Sequence, residues 1–462
     1  MLMARPVIVA HHTRSGLAAL NVVTAALQTD PLTDGVEVRF ARDRAALAAG
    51  LTAAARAGAV PVAAWSFYSP DFLESARDLS WVRARAPGLH VAGGVHATAE
   101  PLATLRAGFD LVALGEGEAT AVALASTLIA SGDPRDLPGI AFLRQDRLVS
   151  NGPGERRALD DFPAFNARAR KWNALEITRG CIYACSFCQT PFMFKARFRH
   201  RSVGNVRAQV ARMRESGTVR YARFLTPTCL SYGSTNASAD LDAVEELLAA
   251  VREELPEGKI YFGTFPSECR PEHVTPAALR VLKKYVDNDQ LVIGGQSGSD
   301  RVLRATHRGH TVEDVRRAAR ACLEAGFVPD VDFLLGLPGE TSEDRALSIA
   351  FAQELVDLGA RIHSHAFMPL PGTPLAGAVP EPIDDAERAA LQRLESRGAL
   401  HGQWRAQQRI AQDLVALRRR PAPGIALSDP PPQPVARDHR AEAEDVRGGE
   451  VGDGAGRLPE LQ

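Results

Sequence analysis

At 462 residues, with 45% apolar and 24% charged side chains, the chain has a globular composition. At about 150 residues per domain it should hold two or three units. A formal net charge of -1 gives no electrostatic ground for a nucleic-acid or membrane partner, and no apolar run approaches the roughly 18 residues that cross a bilayer.

PVIVA, VEVRFA, VPVAAWSF, LHVAGG and DLVALGEGE read in that order as strands, with helical periodicity between them in LAALNVVTAAL, RAALAAGLTAAARAG and FLESARDLSWVRARA. Strand–helix alternation predicts an α/β fold, and its right-handed crossovers predict a flavodoxin-like (Rossmann-like) parallel sheet over residues 1–135 with its ligand site at the carboxyl ends of the strands. Residues 136–172 break the rhythm with prolines, turn formers and a hairpin-like GIAFLRQDRLVSNGP, and read as a linker.

Alternation restarts over residues 173–380, in ALEITRG, YARFLTP, KIYFGTFPSE, QLVIGGQSG, VPDVDFLLGLPGE and RIHSHAFMPLPGTP. Six such units predict a partial (βα)6 barrel of the TIM type, with chemistry at the C-terminal strand ends. Residues 381–420 read as a helical extension and 421–462, rich in Pro, Gly and charge, as a disordered tail. The N-terminal MLMARPVIVAHH lacks the apolar core and cleavage site of a secretory signal. Of six cysteines three are clustered, which suits a reducing cytoplasm and a metal rather than disulfides.

The cluster is ITRGCIYACSFCQTP, which sets Cys181, Cys185 and Cys188 in a C-x3-C-x2-C spacing just beyond the first barrel strand. A structural zinc wants four closed ligands, and His200 downstream is the nearest fourth. A four-iron cluster held by three thiolates instead keeps one iron open for a substrate or cofactor. Both readings remain open on spacing alone. Cys229, Cys269 and Cys322 are scattered singly, and Cys229 is a candidate thiol at a strand end.

This spacing, with Phe187 before the last cysteine and a βα barrel around it, resembles the radical SAM superfamily. The resemblance implies a 4Fe–4S cluster on Cys181, Cys185 and Cys188, and S-adenosylmethionine cleaved reductively to a 5′-deoxyadenosyl radical. It also implies an electron donor such as flavodoxin or ferredoxin. IGGQSGSDRVLRATHRGHT, VDFLLGLPGET and MPLPGTP resemble strand ends of the branch that includes the methylthiotransferases. They point to Phe187, Gln296, Ser297 and Gly336 as S-adenosylmethionine contacts. Relatives often carry a Gly-Gly-Glu at the second strand end, where it holds the methionine amino group. Thr226, Pro227 and Thr228 stand there in this chain, which leaves Thr226 as the contact and no carboxylate.

AWSFYSPDF, AGGVHATAEP and LVALGEGEAT make the first domain similar to the cobalamin-binding domain that precedes the barrel in one radical SAM group. Ser66, Gly93, Gly94 and Gly16 match positions that line its cobalamin channel. The lower-ligand motif D-x-H-x-x-G is replaced by HHTRSG, so no histidine ligand to cobalt is expected from the matching position, now Thr13. The resemblance implies a cobalamin-dependent radical SAM enzyme, most simply a methyltransferase, acting on a small molecule or peptide. Two alternatives stand beside it. One is a methylthiotransferase-like enzyme, against which counts the absence of any cysteine before Cys181; the other is a zinc-stabilised binding module. No catalytic residue is assigned, nor any role to His307, His310, His363 or His365, while Tyr183, Arg197 and Arg199 are candidates for substrate contact.

Overall fold

The computed structural model describes residues 5–419, so the expected tail lies outside the described residues. Every residue of β1 (Pro6–His11) is buried, as a strand in mid-sheet with helices on both faces must be. Around it stand β2 (Glu37–Ala41), β3 (Val60–Ser66), β4 (Leu89–Gly93) and β5 (Leu111–Ala113), all parallel. The order β2-β1-β3-β4-β5 is that of flavodoxin-like folds, and the strand order reverses between β1 and β3. Trp65, Phe67, Leu47, Leu51 and Leu79 are the large buried side chains of its core.

One expectation needs correcting. The segment 136–172 is not simply a linker: β6 (Ile140–Arg144) and β7 (Arg147–Ser150) form a hairpin that pairs antiparallel onto β5 and extends the sheet to seven strands. Ile140, Ala141 and Phe142 are buried, so their apolar run has a core to join.

The second unit runs through β8 (Leu175–Glu176), β9 (Thr178–Arg179), β10 (Arg199–His200), β11 (Tyr221–Leu225), β12 (Lys259–Tyr261), β13 (Gln290–Gln296), β14 (Val328–Leu335) and β15 (Arg361–Ala366). β8, β11 and β12 are parallel neighbours, as are β13, β14 and β15. The two groups join at Cys269, whose N–H donates to Val292 (2.8 Å) and whose carbonyl accepts from Gly294 (3.0 Å). This is the expected open barrel. β9 and β10 pair antiparallel above it, beside the cysteine loop. The extension 381–420 adds helices Asp385–Ser396 and Trp404–Arg419 and also a strand, β16 (Leu400–Gly402), parallel to β15, which its three residues were too short to announce. Trp404 is wholly buried and ties the extension to the barrel core. Among the described residues no helix is long and apolar enough to cross a membrane.

Candidate functional site at the strand ends

The carboxyl ends of both sets of parallel strands open on one cavity of about 780 Å³. Its N-terminal arm is a slot between β1, β3 and β4 and the helices Leu17–Thr29 and Gly117–Ile129, walled by Ile8, Leu20, Val62, Ala64, Val91 and Leu124. Ser66, Gly93 and Gly94 border it at the strand ends. Gly94 has φ +86°, and a Cβ there would lie 2.7 Å from Ser66 Oγ, so a side chain would strain the backbone and crowd the slot.

The barrel arm carries the cysteines. After β9 the chain turns at Gly180, φ +83°, where a Cβ would sit 2.2 Å from the Arg197 carbonyl. That close approach throws the loop of Cys181, Cys185 and Cys188 over the barrel mouth, and all three line the cavity. Burial first, then the neighbouring Cys185 and Cys188, pushes the Cys181 thiol up to about 12; burial likewise raises Cys188. Thiols this costly to ionise bare are deprotonated by a bound metal. Arg308 turns Nη1 toward Cys185 Sγ (3.5 Å) and donates through Nη2 to the Gly294 carbonyl (2.6 Å). Arg270 lies over the Tyr183 ring, 3.5 Å from its centroid.

Two observations bear on a zinc site. Sulfurs about 2.3 Å from one zinc ion would stand roughly 3.8 Å apart, whereas the three cysteines are not among the groups of described residues whose donor atoms lie within 4.8 Å of one another. His200 has both ring nitrogens engaged, Nδ1 with Thr178 Oγ1 (3.0 Å) and Nε2 with the Ser234 carbonyl (2.8 Å), so it completes no zinc site.

Two charged groups surround this arm. Arg179, on β9, bridges Glu176 (2.6 Å), Glu118 (2.6 Å) and Glu116 (2.8 Å), and Arg199 on β10 also pairs with Glu116. Burial alone would raise the Glu118 carboxyl, but Arg179 overcomes it and holds it below the usual range. Deeper, Asp332 accepts from His363 Nδ1 (2.9 Å), with His365 Nε2 at 3.9 Å. Gln407 Oε1 accepts the Ala366 N–H (2.9 Å), so its amide nitrogen donates to His365 Nδ1 (3.1 Å) and the His365 proton sits on Nε2, facing Asp332. Asp332 is thus held by the His363 N–H, with the His365 N–H turned toward it. Glu268 lines the same wall, pushed up to about 8 by burial and then by Asp332.

Of the expected S-adenosylmethionine contacts, Phe187, Thr226 and Gln296 line the cavity, Gln296 in a left-handed turn (φ +70°) at the end of β13. Ser297 and Gly336 do not. Ser297 is turned into the helix Ser342–Leu358, 3.1 Å from Ser348 Oγ, and Gly336 makes a turn against the Glu381 backbone. Ser66, Gly93 and Gly94 reach the slot, but Gly16 packs on the Ser66 carbonyl behind it. His11 packs at a tilt against Trp65 and His12 bonds Asn21, so neither replaces the lost lower-ligand histidine. Cys229 is buried with Sγ 3.0 Å from that of Cys269. Tyr183 lines the cavity with its hydroxyl donated to Ala237, and Arg199 is spent on Glu116. Missed altogether were Arg308, Glu268 and Asp332. RGH and FPSE stand plainly in the sequence, but only the fold brings those strand ends to one wall.

The family model described as the radical SAM superfamily matches residues 175–352. Curated relatives include the tRNA-2-methylthio-N(6)-dimethylallyladenosine synthases of Pelobacter propionicus, 30% identical over 56% of this chain and 59% of that protein, and of Chlorobium limicola, 29% identical over 54% and 56%. The chain thus spans less than two thirds of their length. Among solved structures, the radical S-adenosylmethionine methyltransferase TsrM from Kitasatospora setae, with cobalamin and a 4Fe–4S cluster bound, is 18% identical, with a TM-score of 0.63 over 82% of this chain and 75% of that one. The cobalamin-dependent S-adenosylmethionine radical enzyme OxsB is 14% identical, with a TM-score of 0.61 over 86% and 56%. At such identities the likeness shows the fold.

Proposed function

We propose, from the premise that this chain belongs to the radical SAM superfamily, that it is a cobalamin-dependent radical SAM enzyme that methylates a carbon of a small molecule or peptide. The single observation that carries this reading is the continuity of the cavity: an apolar slot in the first domain runs without a break to three cysteines at the barrel mouth. The slot's apolar lining suits the nucleotide tail of a large flat cofactor, and its glycine border keeps the strand ends clear of side chains. Cys181, Cys185 and Cys188 would hold the cluster, with Phe187, Thr226 and Gln296 around S-adenosylmethionine. When bound, the cluster supplies the electron that cleaves the sulfonium and the cobalamin supplies a methyl group.

The protein's own part is placement and exclusion of water. Arg308 sets a positive charge beside Cys185, the Arg179 pairs clamp the cysteine loop to the first domain, and Phe187 packs with Val302, Leu337 and Phe367 behind the loop. We place the enzyme in the cytoplasm, where its thiols stay reduced, with a flavodoxin or ferredoxin as electron donor.

A methylthiotransferase reading is favoured by the curated relatives. It lacks a place for a second cluster, since the chain before Cys181 has no cysteine and its first domain offers an apolar slot instead. Anaerobic reconstitution separates the readings. Iron, stoichiometric retained cobalamin, and 5′-deoxyadenosine appearing together with S-adenosylhomocysteine support the proposal; iron with no cobalamin retained sinks it.

A further inference from the structure

We infer that Glu268 is the residue that holds the ammonium of S-adenosylmethionine, in place of the carboxylate missing from the second strand end; this rests on the radical SAM reading above. The β11 end carries Thr226, Pro227 and Thr228, and none of them can pair with a cation. The chain beyond β12 runs directly alongside it. Thr226 N–H donates to the Pro266 carbonyl (3.3 Å) and Cys229 N–H to the Glu268 carbonyl (2.9 Å), which brings Glu268 next to the vacant position. Its side chain lines the cavity that holds the three cysteines.

Glu268 faces Asp332, Arg308 and His363. Arg308 is committed to Gly294 and Cys185, and His363 to Asp332. Asp332 is therefore already partnered, whereas among the described residues no side chain gives the Glu268 carboxyl a hydrogen bond. Burial holds it protonated near neutral pH, a state that a bound ammonium would reverse. A carboxylate at this depth, paired by a charge-assisted hydrogen bond to an ammonium, is worth far more than the same pair in water.

The test is binding. Cluster-reconstituted wild type, Glu268→Gln and Glu268→Asp are compared by anaerobic equilibrium dialysis against S-adenosylmethionine and its analogue lacking the amino group, with iron content measured on each sample. Wild type is expected to prefer S-adenosylmethionine over the analogue by roughly tenfold or more. E268Q should weaken S-adenosylmethionine to about the affinity of the analogue and leave the analogue unchanged, and E268D should keep part of the preference. An E268Q protein of full iron content that still discriminates as wild type does overturns the inference and leaves the radical SAM reading standing, with Glu268 then facing the substrate. Wild type that carries iron yet binds neither compound overturns both.

Discussion

The two arms of the cavity meet at one mouth and are built on opposite principles. In the first domain the slot is walled by Ile8, Leu20, Val62, Val91 and Leu124, so it selects by shape and volume. In the barrel, Glu268, Asp332, His365 and Arg308 stand within the same lining, so selection there is by charge. A wall that fits a large rigid molecule can be apolar throughout; one that orients a small zwitterion needs a few fixed charges. The same α/β logic delivers both, because each set of parallel strands exposes its carboxyl ends to the shared space.

The comparison breaks if the arms cannot be damaged separately. The largest expected effect is Cys185→Ala, which removes the thiolate beside Arg308: iron and 5′-deoxyadenosine should fall to background while retained cobalamin stays at the wild-type level. Loss of cobalamin as well would mean that the arms are not independent. Ala64→Phe is the converse. Its ring would fill the slot between β3 and the flanking helices, lowering cobalamin affinity tenfold or more, about 1.4 kcal/mol, with iron content unchanged. Visible absorption and iron assay of the same samples read both.

How much of this was legible in the sequence follows from where the information lies. The cysteine loop and the strand order are local patterns, spacing in one and alternation in the other, and both could be read before any coordinates. β6 and β7 were seen as a hairpin, yet their docking depends on the edge of β5, which ends 27 residues earlier at Ala113, rather than on their own residues. Ser297 sits beside Gln296, but one step along a strand end reverses the facing of a side chain, and Gly336, just past β14, turns against the Glu381 backbone. Gln296 turns into the cavity, and Ser297 turns to Ser348. Glu268 went unread because its significance depends on the strand next to it, which no single motif contains.

Arg179 sharpens the comparison at the join between the arms. It is nearly buried and bridges two carboxylates of the first domain, Glu116 and Glu118, to Glu176 of the barrel. Removing it leaves Glu118 and Glu176 without an ion-pair partner, while Glu116 keeps Arg199, and Arg179→Ala should cost about 3 kcal/mol in denaturant unfolding. The cysteine loop begins two residues later, so iron retention should fall in parallel. Leucine at the same position restores packing but not charge, and should recover less than half of the loss.

The smallest effect, and the one that separates the arms by sign, is pH. In the first domain burial pushes His11, His90 and His96 down to about 4. Between 6.5 and 4 the unfolded chain takes up protons that the folded domain refuses, so stability falls as pH drops through that window. Each histidine contributes on the order of 1 kcal/mol per pH unit. The barrel shares this acid loss through His310, pushed down to about 3 by burial, so the acid arm does not tell the halves apart. The alkaline arm does. Glu340 is buried, one carboxylate oxygen has no partner, and burial raises it to about 8. From 4.5 to 8 the unfolded chain has released a proton that the folded barrel retains, so the wild type loses stability as pH rises through that window. Glu340→Gln cannot ionise, and the gap between it and wild type in urea midpoints should move in its favour from pH 5 to pH 8, at about 1 kcal/mol per unit. A gap that stays constant with pH would mean that Glu340 is ionised in the folded barrel and paired with Arg345, whose nearness already lowers it.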